Sequence, residues 1–214
     1  MAREKGSDPS KQVIDVVLEL LISDGYDAVQ LREVARRARV SLTTVYKLFP
    51  TRDELIVAAV EHWMTANTYG DMTPPAIDST LREGLMGVFR TVFEPWQREP
   101  RMLVAYHHAR TGPGGHRLDL QGVSAVIPIL NTILGGADPT YLADVAMVLT
   151  NVTYALIARV ADASLEITEI LPTIERAVFR LTSDNEAEAE AARNPSRSGN
   201  TAINPSLAAP FDHS

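Results

Sequence analysis

Apolar side chains recur along this chain with the three-to-four residue period of a helix, and no segment keeps a period of two for long. Ile14, Val17, Leu18 and Leu21 form the first stripe, with Asp8-Pro9 as a start signal and Gly25 as a stop. Leu31, Val34, Ala35 and Ala38 mark a short second helix, expected over about 31–39. Ser41 reads as the N-cap of a third, 42–49, in which Val45, Leu48 and Phe49 are the inward positions. Thr51-Arg52-Asp53-Glu54 reads as a capping box opening a fourth helix that runs to about Tyr69. Residues 70–78, with Pro74-Pro75, break the pattern. Beyond them lie stripes at Leu81, Leu85, Val88 and Val92, at 102–110, and at 118–134 with an interruption at Pro128. Two longer stripes close the sequence, 141–161 and 165–182. The predicted fold is all-α.

The pattern stops at 184. From there to Ser214 the chain is polar, rich in small residues and almost devoid of large apolar side chains, so it is expected to lack a packed structure. Three units follow: a small helical unit over 1–54, a larger helical domain over 55–183, and a tail over 184–214.

Composition narrows the chemistry. The 214 residues contain no cysteine, which removes disulfides, thiolate metal sites and cysteine nucleophiles. No uninterrupted apolar run of 18 residues and no signal-like h-region is visible, so no membrane span is expected and the expected location is the cytoplasm. The formal charge of −7 argues against a nucleic-acid partner until its distribution is considered. Residues 32–52 carry six basic groups and one acid, a local +5, whereas 56–214 carries 11 basic and 18 acidic groups. A basic patch at one end of an acidic body can hold phosphate, because screening weakens distant charge.

That patch coincides with three short helices in the first 50 residues, the arrangement of a helix-turn-helix with 42–49 as its recognition element. Leu42, Thr43, Thr44, Tyr46 and Lys47 point away from the apolar positions and suit a major groove. Threonine hydroxyls bond phosphates or base edges, threonine methyls and Leu42 touch thymine methyls, and Tyr46 and Lys47 bond phosphates. Arg52, at the start of the next helix, adds its charge to free backbone N–H groups facing a phosphate. Each residue also has an ordinary structural use: Ser41 caps a helix with or without DNA, Tyr46 fits a core, and the arginines fit one solvated face.

The stretch 25–61 resembles the DNA-binding domain of TetR family transcriptional regulators. It shows Gly25-Tyr26, the run Arg32 to Ser41, Thr44-Val45-Tyr46, Phe49 and Arg52 at the next cap. Arg39 stands where the family usually has a glycine in the turn, at a position that can need positive φ. Thr43 replaces a frequent glycine, Leu48 a frequent histidine or tyrosine, and Gln30 a usual Ser or Thr cap. The resemblance implies DNA contacts from Gln30, Arg32, Ser41, Leu42, Thr43, Thr44, Tyr46, Lys47 and Arg52. It also implies a homodimer whose interface is built from 141–161 and 165–182, with Val178 exposed in one copy and covered by the other. A single recognition helix reads few base pairs, so two-fold pairing on a palindromic operator is the natural solution.

The middle of the chain is rich in aromatic and sulfur-bearing side chains. Phe89, Phe93, Trp96, Met102, Tyr106, His107, Arg110, Asn151 and Tyr154 describe the wall of a small-molecule cavity, or equally an ordinary helical core. His107, His108, His116 and Asp119 match no standard metal spacing, so neither a metal nor a cofactor is expected, and "RTGPGGHR" reads as a loop. No nucleophile–base pair or paired carboxylates stand out, which argues against an enzyme. The sequence favours a repressor released from its operator by a small, largely apolar ligand. Similarity of the "QREP" junction and the arginine bias to actinobacterial regulators of lipid or sterol catabolism suggests an acyl-CoA thioester or sterol-like effector. The alternative is a constitutive dimeric DNA-binding adaptor with no effector.

Overall fold

The computed structural model describes residues 8–70, 72–74, 76, 79–133 and 138–184. Among them are nine α-helices and no strand. They are α1 Pro9–Ser23, α2 Leu31–Arg37, α3 Leu42–Leu48, α4 Arg52–Met64, α5 Leu81–Arg98, α6 Pro100–Thr111, α7 His116–Ile133, α8 Pro139–Ala161 and α9 Ile170–Thr182. The break at 70–78 is described only in part, and the tail after Asp184 lies outside the described residues.

Local signals set most of these ends. Asp8 accepts from the Ser10 amide and Pro9 takes the first helical position, so α1 starts there. Gly25, at φ +88°, supplies the positive-φ step after α1. Thr51 accepts from the Glu54 amide at 3.1 Å, but only that arm of the expected box is in place. The complete box forms at Thr80 and Glu83, where each side chain meets the other's backbone N–H. Arg39 adopts φ +54°, the left-handed conformation the turn demands, although it carries a Cβ. The segment "RTGPGGHR" is only partly loop: its ends belong to α6 and α7, and Gly115 sits so close to the Ala109 and Arg110 carbonyls that a Cβ would clash.

α4 organises the molecule. Leu55, Ile56, Val57, Ala59, Val60, Trp63 and Met64 are buried around almost its whole circumference. It packs on α1 at one end and on α6 and α7 at the other, so the sequence boundary at 54/55 falls within a helix common to both units. Trp63 meets Trp96 of α5 with ring centres 4.4 Å apart, and Trp96 meets Tyr106 of α6 at 5.4 Å. After Met64 the helix widens into a π turn over Thr65–Tyr69, which turns Tyr69 toward α7. Gly122 faces the Tyr69 hydroxyl, and a Cβ there would lie 3.0 Å from that oxygen.

α9 is strongly amphipathic: Ile170, Ile174 and Val178 are fully buried against α5 and α8 of the same chain. The expectation that Val178 is exposed in a single copy is therefore corrected. Helical spacing places it one turn from Ile174, in the same intrachain core. The opposite situation holds for α8. It is long and apolar enough to cross a membrane by length and composition, yet only Val145, Leu149, Leu156 and Ile157 along it are buried, and Met147 is 59% exposed.

Candidate nucleic-acid interface and internal cavity

The helix expected to be the recognition element is α3. The Ser41 hydroxyl caps it by accepting from the Thr44 amide at 3.0 Å and shares a second hydrogen bond with the Thr44 hydroxyl at 2.8 Å. Val45 is fully buried and fixes the helix to α2, with Leu42 packed at the edge of the core. Thr43, Tyr46 and Lys47 are left on the outer face, Tyr46 half exposed. Leu48, read as an inward position, is 37% exposed and belongs to that face. Val45 and Phe49, four positions apart, take the inner side, and Leu48, about 100° round the helix from Phe49, is turned away from it.

The basic cluster divides. Glu33 draws Arg36 to 2.6 Å and Arg37 to 2.7 Å. Those guanidinium bonds hold the Glu33 carboxyl at about 2, far below its usual range. Arg52 is also engaged, and this corrects its expected direction. Its Nε donates to the Val29 carbonyl and its Nη2 to the Tyr26 carbonyl, both at 2.6 Å, while its carbon centre lies 4.6 Å from the Tyr26 ring. It ties α4 to the turn before α2. Gln30 starts α2 without capping it and donates instead to the Asp27 carbonyl at 3.1 Å. Arg32, Arg39 and Lys47 are exposed and have no ion-pair partner among the described residues. They are the cations available to a phosphate backbone.

A second feature lies within the larger unit. Helices α4, α5, α6, α7 and α8 border a cavity of about 350 Å³ that opens to solvent beside the exposed Val123 and Ile127. Phe89, Phe93, Trp96, Tyr106 and Tyr154 line it, as the sequence suggested. Met102 does not: it is fully buried in packing among the helices. Asn151 does not either, because it shares the outer face of α8 with Met147, whose carbonyl it contacts at 2.8 Å. His107 stands outside the cavity wall; burial, then the neighbouring His108 and Arg110, keeps its imidazole below the usual histidine range.

Arg110 reaches the cavity indirectly, through a residue weighed only as a metal ligand. Asp119 of α7 lines the wall, and its Oδ1 accepts from Arg110 Nε at 2.6 Å, from the Tyr154 hydroxyl at 3.1 Å and, more loosely, from Tyr106 at 3.4 Å. Arg110 also lies 3.7 Å from the centre of the Tyr154 ring. Burial would lower the Arg110 value, but the Asp119 bond and charge outweigh it and raise it. Burial raises the phenols of Tyr69, Tyr106 and Tyr154 and keeps them protonated donors. Tyr69 and Thr153 complete the missed polar groups. The Thr153 hydroxyl is buried in the wall with no hydrogen-bond partner among the described residues.

One helix serves both features. α6 places Leu103 and Tyr106 in the cavity wall. Its Arg101 donates to the Ile22 and Ser23 carbonyls at the end of α1, and its His108 ring lies 5.0 Å from that of Tyr26.

Comparison with known proteins places these features in a context. Residues 13–59 match the model for bacterial regulatory proteins of the tetR family, and residues 79–181 match that for a tetracyclin repressor-like C-terminal domain. The chain is similar to the HTH-type transcriptional repressor KstR of Rhodococcus jostii (strain RHA1), 31% identical over 99 residues, 46% of each chain. KstR of Mycolicibacterium smegmatis is 37% identical over 60 residues, 28% of this chain and 29% of that one. A DNA-binding transcriptional repressor TetR of Mycobacteroides abscessus is 39% identical over 57 residues, 27% of this chain and 30% of the relative. These matches thus span at most about half the length of the curated relatives. Among solved structures, a TetR transcriptional regulator from Rhodococcus sp. RHA1 superposes with a TM-score of 0.63 at 20% identity, over 86% of this chain and all of that one. This last likeness is one of fold.

Proposed function

We propose that this chain, which belongs to the TetR family of transcriptional regulators, represses transcription as a homodimer on a palindromic operator and is released when a small, largely apolar molecule enters the cavity. In this reading α3 enters the major groove through Thr43, Thr44 and Tyr46, with Leu42 and Leu48 at its apolar margin. Arg32, Arg39 and Lys47 bond phosphates, Gln30 and Ser41 lie at the helix starts facing the backbone, and Arg52 holds the unit in shape.

The observation that carries the ligand response is α6. Tyr106 stands in the cavity wall while Arg101 and His108, on the same helix, grip the end of α1 and the Tyr26 turn. A molecule that fills the cavity displaces that helix, and the displacement reaches the recognition unit through those two contacts. Only a ligand with different affinity for the two arrangements can do this, and a cavity that changes shape with α6 provides the difference. The same cavity counts against a constitutive adaptor. The uncovered apolar face of α8 supports a second copy as the partner.

The test begins with DNA selected from a random pool by the purified chain. Titration in two salt concentrations should give strong binding to a two-fold symmetric site, and Lys47→Ala should reduce the salt slope by about one counterion. Selection of no symmetric site, or an unchanged slope for Lys47→Ala, would count against the reading.

A further inference from the structure

The cavity wall is mostly apolar, with Thr150 and Thr153 on α8 and a polar cluster around Asp119. There Asp119 is the sole ionisable carboxylate among the described lining residues, and no Lys, Arg or His side chain faces the space. Its charge is already matched by Arg110, which approaches from outside the wall. Asp119 Oδ1 accepts all three of its recorded hydrogen bonds, and no described residue donates to Oδ2. The Tyr69 hydroxyl reaches the same part of the wall, across from Gly122, with no recorded hydrogen-bond partner.

The Asp119 side chain is still 31% exposed, so solvent can serve Oδ2 and the Tyr69 hydroxyl while the cavity is empty; a guest that covers this part of the wall displaces that solvent and must then satisfy both groups itself. An anionic guest meets a carboxylate with no cation of its own to pair with, and burying such a charge is strongly unfavourable. A cationic guest competes with Arg110 for a carboxylate already neutralised. A hydroxyl can do both tasks at once, giving its proton to one oxygen and receiving one at the other.

On the premise that the cavity is the effector site, we infer that it takes an uncharged, largely apolar molecule bearing one hydroxyl, which donates to Asp119 Oδ2 and accepts from the Tyr69 hydroxyl. This differs from the acyl-CoA reading, since a thioester carries no such donor and its nucleotide phosphates would have to stay outside a 350 Å³ space.

The probes are 1-decanol, decanoate and 1-methoxydecane, with the same chain and three different heads. Binding to the full chain at pH 7.5 is read from tryptophan fluorescence, because Trp96 lines the wall. Decanol should bind about ten-fold more tightly than decanoate, the cost of about 1.4 kcal/mol for a poorly accommodated charge, and several-fold more tightly than the ether, which cannot donate. Asp119→Asn keeps an acceptor and should preserve the preference for alcohol over ether while admitting decanoate more readily. Tyr69→Phe should weaken decanol more than the ether. Decanoate binding as tightly as decanol, an ether equal to the alcohol, or no binding by any of the three overturns the inference. Operator titration without any probe reports on the DNA-binding reading separately, so failure of one is not failure of the other.

Discussion

Arg52 and Tyr26 are bound twice over: the guanidinium donates to the Tyr26 carbonyl at 2.6 Å and lies over its ring at 4.6 Å. Twenty-six residues separate them, so the pair closes the recognition unit onto the start of α4. Arg52→Lys retains charge but loses the planar fork that serves two carbonyls. It should cost about 2 kcal/mol of stability by leaving the Tyr26 and Val29 carbonyls short of donors. The salt slope of DNA binding should stay unchanged, since that charge does not face phosphate. Urea unfolding together with a salt-dependent DNA titration separates the two effects; a lowered slope at wild-type stability would return Arg52 to the phosphate contacts.

Arg39 is held at φ +54°. Arg39→Gly should remove about 1 kcal/mol of backbone strain and raise the urea midpoint. The same change deletes an exposed cation, so DNA affinity at low salt should fall while stability rises. A variant that loses both stability and affinity would show that the arginine side chain supports the turn.

Two substitutions on neighbouring helices should fail in different ways. Val178→Asp places a carboxylate in the fully buried seam of α9 and should destabilise each chain by several kcal/mol. Met147→Asp alters the exposed face of α8 and should leave the helical signal intact while light scattering reports dissociated single copies. A folded monomer from Val178→Asp, or an unaltered dimer from Met147→Asp, would move the interface.

His107 contributes a pH dependence. Its folded-state value lies below the ordinary value of about 6.5, from burial first and then from His108 and Arg110. The groups facing it also include Asp162, which pulls the other way. Below 6.5 the unfolded chain therefore binds the proton more readily than the folded one. The stability associated with His107 is complete above that pH and is lost as pH falls below it. His107→Asn should flatten the denaturation midpoint between pH 7 and 5; an unchanged pH profile would mean that the imidazole is not disfavoured as a cation.

The recognition unit was largely legible because its signals are local. Ser41 caps from three residues away, Gly25 supplies its own positive φ, and the Val45 and Phe49 spacing shows which side is inward. Arg52 was misread because its partners lie 23 and 26 residues back, beyond any helical period. The aromatic wall was legible as a composition, but not its polar cluster. Asp119 meets partners on α6 and α8, 9 and 35 residues distant, and only the packing of three helices brings them together. Asn151, named with Tyr154 for the wall, lies instead on the exposed face of α8, one turn after Met147. Tyr69 depends on a π turn, which no apolar period announces.

The bare hydrogen of Gly122 opposite Tyr69 has a wider meaning for how such a chain could change its diet. A single methyl at that position would meet the phenol oxygen at 3.0 Å and shift the ring tip slightly, while α3, more than 70 residues earlier, would feel nothing directly. In the proposed reading, selectivity for the guest and recognition of the operator drift independently, the first through a single carbon in the cavity wall, the second on a distant surface.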